Sequence, residues 1–237
     1  MSNIYFIRHA QAGSRDNYDR LSELGEQQAT LLGKHFAEQG IAFSKIISGA
    51  MQRQQRTAEL VSNEIVKAGL ATTDVVVDAQ WNEFSLLSVY TSYVSRLIEE
   101  SESFARDYAE MQEMLKRDPH AVRGAAGRCD AQVIISWMQN RYPVEGESWQ
   151  AFRSRILSCL ANIPDGDENQ AIAVFTSATP ISIMTGHALE LTDEKLLRIL
   201  GVIANSSVTV MRKSGEDLRL FSFNATPHLN DNNRTYR

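Results

Sequence analysis

The chain has 237 residues, enough for one large α/β domain or two small ones and for a substantial buried core. Apolar residues make up 43% and charged residues 22%, ordinary globular usage that argues against long disorder. A net charge of −5 gives the surface as a whole no attraction for nucleic acid or an anionic membrane, so neither is expected as a partner.

In chain order, Ile4 to Ile7 is a short, wholly apolar run, as expected of a parallel strand buried on both faces. A polar stretch from Arg8 to Arg20 follows. Leu21-Ser22-Glu23-Leu24-Gly25 then leads into a predicted helix over Glu26 to Gln39, with Ser22 as N-cap and Gly40 closing it. Lys45 to Ser48 reads as a second strand, Arg53 to Ala68 as a second helix ended by Gly69, and Val75-Val76-Val77 as a third strand. This alternation predicts an α/β three-layer sandwich, a mostly parallel central sheet with helices on both faces.

From about Tyr90 to Leu160 the pattern is helix alone. Val94, Leu97, Ile98, Phe104, Tyr108, Met111 and Leu115 predict one long amphipathic stretch, stopped by Asp118-Pro119. Val133, Ile134, Trp137 and Met138 mark another helix, and Ser148 caps a third that carries Phe152, Ile156, Leu157 and Leu160 inward. No Pro/Gly/Ser-rich linker flanks the block, so residues from about 90 to 160 read as a helical insertion into a single domain spanning 1–237.

A predicted turn, Pro164-Asp165-Gly166-Asp167, precedes the most apolar strand, Ala171 to Phe175. Thr179-Pro180 then opens a helix, with the proline expected at the first helical position, and Thr192 starts a short helix ending at Gly201. Ser207 to Arg212 and Leu218 to Phe223, around Ser214-Gly215, read as an antiparallel hairpin at the sheet edge. Cys129 and Cys159 are expected as buried free thiols, with a single bridge left open. Met1 to Arg8 lacks the basic start and long apolar stretch of a signal peptide, and no run approaches a membrane span; a soluble cytoplasmic protein is the expectation.

Ligands of open α/β sheets bind outside the carboxyl ends of the strands. Polar clusters sit at those ends: Arg8-His9 after the first strand, Ser48 with Arg53 after the second, and Thr176-Ser177 after the apolar one. Glu83 follows the third strand on the irregular stretch Ala79 to Phe84. Such a set suits phosphoryl transfer. A neutral imidazole is a good nucleophile toward phosphorus, guanidiniums neutralise the equatorial oxygens, and a carboxylic acid protonates the leaving alkoxide and later activates water.

Arg8-His9-Ala10 after a leading strand resembles the Arg-His-Gly signature of the histidine phosphatase (phosphoglycerate mutase-like) superfamily. Leu21-Ser22-x-x-Gly25 resembles its helix entry, Arg53-x-x-Arg56-Thr57-Ala58 its second-arginine segment, and Gly146-Glu147-Ser148 its Gly-Glu-Ser helix start. The matches run in family order from Ile4 to about His228, nearly the whole chain. Carried over residue by residue, the resemblance implies His9 as nucleophile, Arg8 and Arg53 as phosphate clamps and Glu83 as proton donor. It also places the family's second catalytic histidine at Ser177, in Val174-Phe175-Thr176-Ser177-Ala178-Thr179-Pro180. Ser177 then offers a neutral hydrogen bond, and Ala178 the backbone of a helix opening. Ala10 stands where the family has glycine and Ala12 where a serine is common, and Arg15 falls near the family's usual asparagine, where it would supply the positive charge missing at Ser177.

Each residue also has a plain structural reading: His9 satisfied by backbone at a strand end, Arg53 exposed early in a helix, Glu83 a loop carboxylate, Ser177 a helix-entry residue. The ordered set favours the functional reading for His9 and Arg53, while Glu83 and Ser177 stay near balance. His35, His187 and His228 read as structural, and the histidines lack metal-ligand spacing, so neither metal nor cofactor is expected. The leading expectation is a phosphomonoester hydrolase acting on a phosphorylated small molecule or phosphoprotein. A pseudophosphatase that binds such a ligand with little turnover is the alternative, ahead of a mutase-type phosphotransferase or an interaction protein using the helical insertion. No motif speaks to oligomeric state.

Overall fold

In the computed structural model, which describes residues 2–14, 17–118, 121, 123–164, 170–215 and 217–236, the run Ile4 to Ile7 lies within strand β1 (Ser2–Arg8). It is followed by α1 (Glu23–Glu38), β2 (Lys45–Ser48), α2 (Gln52–Lys67) and β3 (Val75–Val77). Four helices come next: α3 (Leu86–Glu100), α4 (Glu102–Arg117), α5 (Ala125–Met138) and α6 (Trp149–Ser158). The chain closes with β4 (Ala171–Thr176), α7 (Ala178–Ala188), α8 (Asp193–Leu200), β5 (Val208–Ser214) and β6 (Asp217–Ala225). The residues divide into two compact units, one of Met1–Glu83 with Ile156–Arg237 and the other of Phe84–Arg155.

The first unit is built on a six-stranded sheet of order β3-β2-β4-β1-β5-β6. β3, β2, β4 and β1 run parallel, whereas β5 is antiparallel to β1 and β6 to β5. The predicted hairpin therefore forms the edge beside β1. The pleat sends alternate side chains to opposite faces. Ile7, Ala173, Phe175 and Ile46 pack with Leu32 and Phe36 of α1 and with Ala58, Val61 and Ile65 of α2. On the other face Phe6 meets Trp81, ring centroids 5.7 Å apart. α7 is buried from Ala178 through Gly186, which is why its sequence shows little amphipathic periodicity. β3 is an edge strand that leaves Val76 and Val77 about half exposed.

The second unit is helical. α5 packs on both α3 and α4, around an aromatic cluster in which Trp137 lies 4.5 Å from Phe84 and 5.4 Å from Trp149, centroid to centroid. Tyr93 Oη donates to the Tyr142 carbonyl at 2.6 Å, satisfying the polar end of a ring that is otherwise fully buried.

Three local expectations need correction. The single amphipathic stretch from Val94 to Leu115 is two helices, because Ser101 adopts an extended conformation (φ −141°, ψ 106°). Its Oγ accepts from Phe104 N at 3.2 Å, the N-cap bond of α4, and so ends one helix while starting the next. Pro180 stands third in α7 rather than first, since Ser177 is the N-cap and Ala178 the first helical residue; its missing N–H is still one of those without an intrahelical acceptor. Leu157 and Leu160 are only half-buried, and Cys159 takes the fully buried position between them. Both cysteines are free. The predicted turn at Pro164 to Asp167 lies largely outside the described residues, as does the proline of the Asp118-Pro119 stop.

Ser22 caps α1 as expected, its Oγ accepting from Gly25 N at 3.0 Å. Gly25 is required there for a separate reason. The first turn of α1 abuts the loop after His9 so closely that a Cβ on Gly25 would lie 2.1 Å from the Gln11 carbonyl oxygen. Gly25→Ala is therefore expected to push the Gln11 backbone aside and to destabilise the chain by about 1–3 kcal/mol, read as a lowered urea midpoint with an unchanged m-value.

Candidate active site

The parallel register of β1 and β4 pairs Arg8 with Thr176, and His9 N–H continues the ladder by donating to the Thr176 carbonyl at 2.8 Å. His9 and Ser177 thus leave adjacent strand ends side by side. β2 ends at Ser48, one strand further along the sheet, and Gly49 N–H donates to Phe175 O at 3.0 Å before the chain enters α2. The first turn of α2 carries Arg53 back over the strand ends. From the β3 side, a short 3-10 turn at Ala79–Trp81, capped by Asp78, delivers Glu83, whose Oε2 accepts from Thr179 N–H at 3.1 Å in the first turn of α7. That bond ties the Glu83 carboxyl group to the first turn of α7.

His9 is buried, and both ring nitrogens have defined roles. Nδ1 lies 2.8 Å from the Ala10 carbonyl, which can only accept, so Nδ1 carries the proton. Nε2 accepts from Arg53 Nε at 3.1 Å, so its lone pair points at the guanidinium side of the pocket. Burial, then the charges of Arg53 and Arg8, hold the imidazole pKa well below its ordinary value. The His9 carbonyl is fixed in turn by Asn205 Nδ2 and Ser206 N–H, each at 3.3 Å.

Two buried arginines flank this ring, an arrangement costly in free energy unless each charge is compensated. Arg8 donates from Nη1 to the carbonyls of Ile203 and Tyr236, and its Nε is buried with no hydrogen-bond partner. Burial lowers its pKa, while Tyr18 and Glu83 oppose the shift; an arginine stays protonated regardless. Arg53 also donates from Nη1 to Asp19 Oδ1 at 2.9 Å and lies 4.9 Å from the Tyr18 ring centroid. Asp19 is half-exposed, so this ion pair is worth little by itself and is open to exchange for another anion.

The structure brings together His9, Arg8, Arg53, Glu83, Ser177 and Ala178 at one sheet rim. Arg15 lies outside the described residues. Ser48 is buried but turns its hydroxyl to the Gly49 carbonyl at 2.8 Å. Four participants were not singled out from sequence: Gln54, which donates from Nε2 to Ser177 Oγ at 2.9 Å; Tyr18 and Asp19 beside Arg53; and Asn205 beneath His9. The one usable signal was for Gln54, which directly follows Arg53 in the first turn of a helix aimed at the strand ends. His228 underlies the site: its Nε2 lies 2.8 Å from Ser206 Oγ, and its ring is 6.3 Å from that of His35. Burial, aided by His35, lowers its pKa to about 4.

The profile of the histidine phosphatase superfamily (branch 1) matches residues 4–134 and 128–226. The chain belongs to that superfamily. Among curated proteins it is similar to the mitochondrial serine/threonine-protein phosphatase PGAM5 of Mus musculus, 32% identical over 77 residues, which are 31% of this chain and 27% of that protein. The Drosophila persimilis counterpart is 39% identical over 66 residues, 27% of this chain and 23% of its own length. The chain therefore matches only about a quarter of each of these relatives.

Solved structures align over almost the whole chain. YhfR of Bacillus stearothermophilus gives a TM-score of 0.63 at 17% identity, covering 96% of this chain and 99% of its own. The phosphoserine phosphatase of Entamoeba histolytica gives 0.60 at 14%, covering 97% and 100%. A mycobacterial glucosyl-3-phosphoglycerate phosphatase with inorganic phosphate gives 0.59 at 20%, covering 96% and 99%. At these identities the likeness establishes the α/β fold.

Removing the Arg53 charge by Arg53→Leu should raise the pH at which His9 takes up its second proton, without reaching that of a free histidine, because burial remains. NMR titration of labelled histidine reads this directly. For His228 the folded-state value of about 4 lies below the ordinary 6.5, so on acidification the unfolded chain binds the proton first. Its contribution is present above pH 6.5 and is lost as the pH falls toward 4, up to about 3 kcal/mol in all. His228→Gln should flatten the fall of the urea midpoint across that window.

Proposed function

We propose that the chain is a phosphomonoester hydrolase working through a phosphohistidine at His9. The observation that carries this reading is the state of the His9 ring: Nδ1 is committed to Ala10 O, burial and two arginines keep the ring neutral, and Nε2 presents its lone pair beside Arg53. In the first step Nε2 attacks phosphorus and the ester P–O bond breaks. The leaving alkoxide takes its proton from the Glu83 carboxyl. In the second step water attacks the phosphohistidine, gives a proton to the Glu83 carboxylate, and the P–N bond breaks to release inorganic phosphate. Arg8 and Arg53 neutralise the equatorial oxygens, Arg8 with its unpartnered Nε and Arg53 by exchanging Asp19 for the substrate. Ser177 and the backbone of Ala178 donate from the strand end beside His9. Arg15 is kept in this reading as a further cation.

The substrate is a phosphorylated small molecule or a phosphoprotein. Relatives of both kinds support that range, since PGAM5 is described as a serine/threonine-protein phosphatase and the structural relatives as phosphatases of phosphoserine and glucosyl-3-phosphoglycerate. One observation favours a second reading, a phosphate-binding protein with little turnover. Where the family resemblance implies a second histidine, Ser177 offers a neutral hydroxyl already engaged by Gln54.

Hydrolysis of a generic aryl phosphate separates the two. The unsubstituted chain should turn over, form an acid-labile phosphoenzyme, and lose both properties in His9→Ala, with activity down by about 10³ or more. Equal activity with and without His9 would remove the proposed nucleophile. An inactive chain that gains activity in Ser177→His would establish the binding-only reading.

A further inference from the structure

Ser177 has one hydroxyl proton, and its neighbours decide where that proton goes. Ser177 is the N-cap of α7, yet its side chain makes no capping bond. Its hydroxyl instead meets Gln54 Nε2 at 2.9 Å, and both residues are almost completely buried. The orientation of the Gln54 amide follows from its other end. Met51 N–H, an obligate donor, faces Oε1 at 3.4 Å, so the end toward Ser177 is the NH2 group, which can only donate. Ser177 Oγ must accept this bond, and its own proton is left to point elsewhere.

The amide has little room to turn. A Cβ on Gly49 would lie 2.0 Å from Gln54 Oε1 and 3.0 Å from Asn82 Oδ1, so Gln54 and Asn82 pack directly on the Gly49 backbone. Asn82 is anchored there by Ala50 N–H at 2.6 Å. Adjacent residues of α2 thus reach adjacent strand ends: Arg53 bonds His9 and Gln54 bonds Ser177.

We infer that Gln54 is a positioning residue that forces the Ser177 hydroxyl to act as a donor toward the phosphoryl group, so that the buried Gln54–Ser177 pair works as one neutral hydrogen-bonding unit beside His9. The inference rests on the phosphatase reading for its kinetic consequence. Its binding consequence, for a phosphate-like anion, does not need turnover.

The test is a double-mutant cycle of Gln54→Met, Ser177→Ala and the combination, read both by aryl phosphate turnover and by orthovanadate affinity. Gln54→Met keeps the side-chain volume over Gly49 while removing the donor. Gln54→Met and Ser177→Ala should each weaken orthovanadate binding and lower kcat by about tenfold, with less than about a twofold further loss when combined. Gln54→Glu supplies a second readout. An ionised carboxylate only accepts, so it would draw the Ser177 proton toward itself; affinity and kcat should fall and then partly recover as acidification restores a donor, a gain the unsubstituted chain lacks. Independent, multiplicative effects in the cycle, together with a Gln54→Glu pH profile parallel to that of the unsubstituted chain, would overturn the inference. If the unsubstituted chain binds orthovanadate but does not hydrolyse, the phosphatase reading fails while the cycle in affinity still decides the role of Gln54.

Discussion

The hydrogen bond from His9 Nδ1 to the Ala10 carbonyl is short-range and local, yet the electrostatics of the whole rim depend on it. It fixes the tautomer, and fixing the tautomer obliges Nε2 to be an acceptor. Arg53 then becomes a compatible neighbour, because a guanidinium only donates. A protonated ring in the same place would set two cations in contact inside a buried pocket, which is why burial and the two arginines act in the same direction on the His9 pKa. α2 holds this arrangement at more than one point. Thr57, one turn beyond Arg53, accepts from Ala10 N–H at 3.1 Å and donates to the Arg53 carbonyl at 2.7 Å. Ring orientation, backbone path and guanidinium position are therefore set by one helix.

What brings that helix to the ring is the sheet. Parallel pairing of β1, β4 and β2 lines up three carboxyl ends, and each releases a polar residue to the same rim. The fully buried strand interiors, Ile4, Phe6, Ile7, Val174 and Phe175 among them, supply the hydrophobic stabilisation. That apolar floor makes it tolerable to keep Arg8, Arg53 and His9 buried with them. The antiparallel edge adds support of another kind: Asn205 and Ser206, just before β5, hold the His9 carbonyl, and His228 holds Ser206. Gln28 of α1 extends the layer, bonding Gln11 N–H at 2.8 Å and the Asn233 carbonyl at 2.7 Å.

Arg8, His9 and Ser177 are legible in the sequence by their position at the carboxyl end of an apolar run, which faces ligand in an open α/β sheet. Arg53 and Glu83 instead reach the rim from the first turn of α2 and from the turn beyond β3. Helix starts at Ser22 and Ser148 are legible for the same local reason, a capping residue before an apolar period. Gln54 is legible only as the neighbour of Arg53; its bond to Ser177, 123 residues away, is not, since a buried glutamine carries no periodic signal. Asn205 shares that difficulty: its bond to the His9 carbonyl depends on where β5 falls in the sheet, whereas His228 is structural as expected and bonds Ser206 beneath His9. The break at Ser101 fails differently. The apolar spacing from Val94 to Leu115 continues across it, and the competing evidence, a serine followed by an acidic residue, is a weak local preference against a strong periodic one.

The charge state of the rim follows from its two arginines and from the neutral pair Gln54 and Ser177 beside them. Arg8 and Arg53 are permanent cations, and a phosphate dianion held between them would leave the local sum near neutral. An additional imidazolium would make that sum positive, favouring the anion but further disfavouring protonation of His9. Gln54 and Ser177 supply hydrogen-bonding capacity without charge, so the depression of the His9 pKa comes from burial and the arginines alone. In a chain whose overall charge is −5, Arg8 and Arg53 form a local concentration of positive charge at this rim. In the proposed phosphatase, anion recognition would rest with Arg8 and Arg53, and directional recognition of the phosphoryl oxygens with Gln54 and Ser177.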